Sequence, residues 1–319
     1  MPSILNINRL KMYGVSKNKW IITSAGIISS SIIIALIFSY YYNNNNQNLY
    51  KPSNTNLDKF GVREIYPTKP GGEEWFMNMQ NPTLDPRFDP QANITKNPDG
   101  SYKMTKQEVR MEVYPSTGYN QDKIATLNQK ELAAKGYMQS PNDWKNVEMT
   151  GYVKLISSPS DDQFNWYNRG GRHIDGRPCE GTAYKSDIMY YFSGKTRFNK
   201  EQWFGKAYSF TPPKTVTNSS IQGKWVGLKY VVYNFQQPDG KIAVRLQSWF
   251  DVNADGKWIK INDFTDSGGW GSQGGYCGGA ADQLITWGGP IATFRWDYAT
   301  DVDFKNFSVR EIQPSQSLI

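Results

Sequence analysis

His173 is the only histidine in the chain. Any imidazole base must therefore be this side chain, and a metal centre built on several histidines is excluded. It lies in Asn168-Arg-Gly-Gly-Arg-His-Ile-Asp-Gly-Arg-Pro-Cys-Glu-Gly-Thr-Ala-Tyr184, with Arg169, Arg172 and Arg177 around it. A base of this kind takes a proton next to a carboxylate when it reaches within about 3 Å, and a guanidinium neutralises the carboxylate. His173, Tyr184 and Arg172 are the catalytic candidates. A solvated loop without chemistry has the same composition.

Cys179 and Cys277 are the only cysteines. Outside the cell such a pair is expected to oxidise. Closing a loop of that length contributes about 4–5 kcal/mol in the chain-entropy view. Zinc on His173 and both cysteines would lack an evident fourth ligand. Asp251-Val-Asn253-Ala-Asp255-Gly256 matches the front half of a calcium loop, but Asn262 stands where the closing glutamate belongs. Ca2+ at Asp251, Asn253 and Asp255 is therefore secondary to a plain hairpin, and no other cofactor is expected. Asn93-Ile-Thr, Asn218-Ser-Ser and Asn306-Phe-Ser are glycosylation sequons.

The elements that must position these residues read as strands. The chain is 14% aromatic and rich in Gly and Pro, and short aromatic and β-branched runs between turn residues indicate an all-β sandwich or barrel. Strands are expected near Glu73–Met79, Val109–Tyr114, Val147–Ile156, Ala183–Phe192, Trp203–Phe210, Lys224–Phe235, Lys241–Phe250, Trp258–Asn262 and Ala292–Trp296. Phe60–Pro67 and Phe304–Pro314 share a Val-Arg-Glu-Ile run and are expected to neighbour each other, closing the domain at its ends. One helix is expected over Leu127–Lys135, with a capping box from Thr126 and Gln129. Asp239-Gly240 and Asp255-Gly256 predict hairpin turns.

Alternation sorts these strands into faces. Arg110, Glu112, Glu148, Tyr152, Lys154, Tyr233, Arg245, Gln247 and Trp249 belong to polar faces opposite apolar ones. Aromatic rings stack on sugars, and charged or amide groups bind hydroxyls and carboxylates. These nine residues are the expected binding face; a merely solvated outer face is the alternative.

Trp20–Tyr42 is apolar and long enough to cross a bilayer. Arg9, Lys11, Lys17 and Lys19 precede it without an acid, which keeps the N-terminus cytoplasmic. The run lacks the small-residue cleavage site of a signal peptide. The expected organisation is a basic tail 1–19, a transmembrane anchor 20–42, a polar spacer 43–57 and an extracellular domain 58–319, placing the protein in the cell membrane. Those four charges account for much of the net +7. The rest interleave with acids, so no basic stripe for nucleic acid is present.

The closing strand Val302–Ile312, the hairpin strands Lys224–Phe250 and the run Trp287–Trp296 resemble the concanavalin A-like lectin/glucanase superfamily. The resemblance implies a jelly-roll sandwich of two antiparallel sheets with a concave sugar groove. Arg110-Met-Glu112 resembles the Arg-x-Glu strand of alginate-lyase-like members, and Lys229-Tyr-Val-Val-Tyr233 resembles their Tyr-Lys strand. Their Gln-x-His strand and the glucanase carboxylate run are absent. Polysaccharide is thus the expected partner, bound by a membrane-anchored protein. A polysaccharide lyase or glycoside hydrolase is one alternative, and a structural surface protein is the other.

Overall fold

Alternation of apolar and polar residues builds two antiparallel sheets. The computed structural model describes residues 56–124, 129–172, 178–189, 194–202 and 208–314. The expected anchor Trp20–Tyr42, its basic tail and all but the end of the spacer lie outside them. Among the described residues no helix is long and apolar enough to cross a membrane.

The first sheet runs β14 (Ile259–Asp266), β13 (Ile242–Asp251), β12 (Trp225–Gln236), β6 (Val147–Ser157), β16 (Asp301–Glu311), β4 (Tyr102–Met104) and β3 (Thr95–Lys96), with β1 (Glu74–Phe76) also on β16. The second runs β10 (Tyr208–Phe210), β9 (Lys195–Glu201), β8 (Ala183–Met189), β7 (Gln163–Gly170), β15 (Ile291–Trp296), β5 (Val109–Val113) and β2 (Phe88–Asp89), with β11 (Lys214–Thr215) on β9. The helix α1 spans Gln129–Lys135; its expected cap at Thr126 lies outside the described residues. The Asp239-Gly240 turn joins β12 to β13, with Gly240 at φ +83°.

Inward-facing residues of both sheets form one core. Trp166 meets Phe294 edge-on at 5.0 Å, and Phe294 stacks on Phe307 at 4.3 Å. A bulge in β16 between Lys305 and Ser308, with Asn306 at φ +55°, turns both Phe304 and Phe307 inward. Gly151 on β6 is the floor for that ring: a Cβ there would overlap Phe307.

A second cluster covers the outer face of the first sheet. There Val62 and Tyr66 pack on Tyr152, Val231, Tyr233, Trp249 and Trp258. Phe60–Pro67, expected as a strand, is instead an irregular arm. Asp58 Oδ1 accepts the N–H groups of Phe60 and Val62 at 2.8 and 2.9 Å. Glu148 Oε2 accepts those of Ile65 and Tyr66 at 3.0 and 3.2 Å. The arm satisfies its backbone on carboxylates because it crosses a sheet face, where no strand edge is offered. The two ends of the sandwich do meet, through a bridge between Thr68 and Ile312.

Candidate functional site

The outer face of the second sheet carries two polar rungs. Strand register aligns Asp89, Glu112, Thr293, Tyr167, Lys185, Asn199 and Phe210 across seven strands. Beside them run Arg110, Arg295, Asn165, Asp187 and Arg197. Their alternation with Met111, Phe294, Trp166 and Phe198, all core residues, turns them outward.

At one end Arg172 gathers two carboxylates. Its Nε donates to Glu112 Oε2 at 2.8 Å, and Nη2 donates to Asp89 Oδ2 at 2.8 Å. The Tyr114 hydroxyl donates to Glu112 Oε2 at 2.8 Å. Tyr114 stacks on Tyr119 at 5.6 Å, and the Arg172 guanidinium lies 5.2 Å from the Tyr119 ring centre. Burial pushes the Glu112 carboxyl up, against the pull of Arg172, and pushes the Tyr119 phenol up to about 12.

In the centre Arg110 and Arg295 share a single acid. Arg110 Nη1 lies 2.5 Å from Asp297 Oδ1, and Arg295 Nε donates to the same oxygen at 3.2 Å. Tyr167 hydrogen bonds Thr293, and both guanidinia act on its phenol. Next to it the buried Lys185 ammonium pairs with Glu201 at 2.5 Å and faces the rings of Tyr167 and Tyr208 at 4.5 and 5.0 Å. Burial pushes the Lys185 ammonium down although Glu201 opposes this.

At the far end Tyr208 and Phe210 stack at 6.1 Å and remain 39% and 47% exposed. Arg197 lies 4.0 Å from the Phe210 ring centre and donates to the buried Asp187 at 3.2 Å. β5, which Tyr114 directly follows, and β10, which carries Tyr208 and Phe210, are separated by five interstrand gaps, about 24 Å at ~4.8 Å each.

The expected binding residues divide between the two sheets. Arg110, Glu112 and Arg172 are brought together on this face. Glu148, Tyr152, Tyr233, Gln247 and Trp249 lie on the first sheet, buried beneath the arm. Their expected role as a sugar surface is corrected for that reason. Burial alone would raise the Glu148 carboxyl, but Lys229 at 2.8 Å and Arg310 at 3.0 Å hold it below the usual carboxylate range. Lys154 and Arg245 sit at the rim of the covered face, paired with Asp303 and Asp263.

Tyr184 is also corrected. It points into the core, donates to Asp266 Oδ2 at 2.6 Å and stacks on Trp270 at 6.0 Å. It therefore faces away from Arg172 and cannot share its substrate. His173 lies outside the described residues. Cys179 and Cys277 are joined in a disulfide, so neither offers a thiolate to zinc. Asp251 accepts the N–H groups of Asp255 and Gly256 at 3.0 and 2.8 Å and the Tyr152 hydroxyl at 3.1 Å, which closes a hairpin. Among the described residues no group of three or more His, Cys, Asp or Glu is placed to hold a metal.

Sequence reasoning did not single out Tyr167, Lys185, Asn199, Arg295 or Tyr208. Arg295 and Lys185 were legible, since each alternates with core residues inside an expected strand. Tyr167 and Asn199 belong to β7 and β9, which were not expected as strands.

No protein-family model matches this chain, and no curated protein does. Solved structures that it is similar to include the carbohydrate-binding module CBM66 from Bacillus subtilis, at 10% identity over 70% of this chain and 95% of that one, with a TM-score of 0.37. The exoplasmic/lumenal domain of VIP36, in a Ca2+/Man3GlcNAc-bound form, matches at 10% identity over 73% and 89%, with a TM-score of 0.38. Alginate lyase Aly36B matches at 12% identity over 79% and 96%, with a TM-score of 0.39. These likenesses concern architecture alone, and no ligand or activity is transferred through them.

Proposed function

We propose that this is a membrane-anchored extracellular protein that binds polysaccharide on the outer face of the second sheet. The observation that carries the reading is the pair of registered rungs: an aromatic stack at each end and, between them, Arg110 and Arg295 leaning on one shared acid. Two guanidinia directly paired with one carboxylate, with Asp162 also within range of Arg295, form a basic centre that favours a uronate-bearing chain. Tyr208 and Phe210 offer open rings to a sugar face. The apolar run Trp20–Tyr42 with its basic flank supports the anchor, and the disulfide supports an oxidising location.

The test uses the compact Asn56–Ile319 unit against immobilised neutral and uronate polysaccharides. Retention on the uronate chains is expected. Tyr208→Ala with Phe210→Ala weakens it about tenfold. Arg110→Ala removes the preference for uronate and leaves folding intact. Equal retention of wild type and both variants, or none at all, overturns the reading.

One observation favours a second reading, a lyase: the Tyr167 phenol, pushed up by burial, hydrogen bonds Thr293 and is pulled down by the guanidinium charges of Arg110 and Arg295. In β-elimination the proton α to the uronate carboxylate moves to a base. The C–O bond at the β carbon breaks, a C=C bond forms, and the leaving oxygen gains a proton. Tyr167 and His173 are the proton carriers in that scheme, with Arg110 and Arg295 on the carboxylate. New unsaturated ends that vanish in Tyr167→Phe or His173→Ala would establish it.

A further inference from the structure

A groove of about 1360 Å³ opens at the far end of the first sheet, away from both rungs. It forms because β6 ends at Val147, level with the end of β16 at Glu311, while β12 runs on to Gln236. Its walls come from the end of the arm at Pro67–Pro70, from Lys145 and Asn146, and from the ends of those two strands.

The charges around it do not balance. Lys69 is paired with Glu311 at 2.7 Å. Lys145 is half-buried and makes no salt bridge among the described residues. Behind the floor lies Arg169, fully buried and paired with no carboxylate among the described residues. Its Nε donates to Lys145 O at 2.9 Å, and Nη1 donates to Asn234 Oδ1 at 2.8 Å and Ile285 O at 2.6 Å. Nη2 reaches Asn146 Oδ1 at 3.4 Å. These are neutral acceptors, so the guanidinium charge stays uncompensated. Burial pushes Lys145 down and Arg169 and Lys69 push it further, while Glu311 in the lining opposes them without reversing the shift. Burial also pushes Arg169 down to about 10. An anion in the groove relieves both.

We propose that this groove is a second binding site, for a carboxylate-bearing oligosaccharide segment, with Lys145 as its primary anion contact. The rest of the lining suits a hydroxyl-rich ligand: the amides of Asn146, Gln236 and Gln313 lie beside the half-buried Phe235. An extended acidic peptide fits less well. The strand edge facing the groove is short, and Asn146 Oδ1 already accepts the Asn234 N–H at 2.9 Å, so no ladder remains for strand addition.

Calorimetric titration of the full-length protein with a uronate hexasaccharide tests this, with a neutral glucan hexasaccharide as control. Two classes of site are expected for uronate. Lys145→Met removes one of them or weakens it about tenfold or more, as expected for loss of a charge-assisted contact. Lys145→Arg keeps it. Tyr208→Ala with Phe210→Ala leaves the Lys145-dependent site and removes the other. A Lys145→Met protein that titrates like wild type overturns the proposal, as does a wild type that binds no uronate. One site lost only in the Tyr208/Phe210 variant also overturns it while leaving the rung reading intact. One site lost only in Lys145→Met does the reverse. The surviving site in each variant reports that the protein is folded.

Discussion

Asp187 shows what it costs to build a polar rung on a half-closed sheet face. It is fully buried, and burial pushes its carboxyl up to about 6 although Asn199, at 2.8 Å, and Arg197 pull it down. A carboxyl raised in the folded state holds its proton there longer than in the unfolded chain. This favours folding at acid pH, and the benefit is lost as pH rises through about 6. The rise from the ordinary value of 3.8 to about 6 corresponds to about 3 kcal/mol. Asp187→Asn abolishes the titration. Urea unfolding of both proteins at pH 4, 5, 6 and 7 should show wild type losing ground to the variant across that window, by up to about 3 kcal/mol. Parallel profiles would mean that Arg197 and Asn199 fully compensate the ionised form.

At the scale of elements, the arm decides which sheet face stays open. Tyr66 is its anchor: the ring meets Tyr233 edge-on at 5.5 Å, and Gln247 Nε2 donates to its hydroxyl at 3.1 Å. Tyr66→Ala should cost about 3–5 kcal/mol, as other large-to-small core changes do, and shift the denaturant midpoint. In a Lys145→Met background, where the groove is disabled, retention on polysaccharide should not change in conditions where the variant is folded, because the rungs belong to the other sheet. Weaker retention would return the covered face to candidacy.

The alternation in Val109–Tyr114, Val147–Ile156 and Lys241–Phe250 was legible, since period two needs only neighbouring residues. Two features were not. Gln163–Gly170 has the same alternation, with Phe164 and Trp166 inward, but Asn165, Asn168 and the glycines after Arg169 give it the composition of a loop. The fate of each polar face was also hidden. Glu148 and Glu112 look alike along the chain, yet one lies beneath an arm more than 80 residues distant in sequence and the other faces outward. Only long-range placement separates them.

At the scale of the whole molecule, the Cys179–Cys277 bridge ties the short 3-10 turn before β8 to the glycine-rich segment before β15. The cysteines are 98 residues apart in sequence. Most of the second sheet's strand pairing lies outside or across that loop, so the unfolded chain loses much of its freedom when the bridge is present. The chain-entropy estimate for such a loop is about 4–5 kcal/mol. The bridge anchors Cys179, seven residues after Arg172 in the sequence, and so bears on both stability and the rung's Arg172 end. Cys179→Ser with Cys277→Ser should therefore lower the unfolding midpoint by an amount equivalent to most of that energy. It should also weaken uronate retention less than the Tyr208/Phe210 change does, because the rungs themselves are held by strand pairing. If the double serine variant keeps its stability but loses retention, the bridge acts on the site rather than on the unfolded chain, and the binding surface extends beyond the rungs to the segment that it holds.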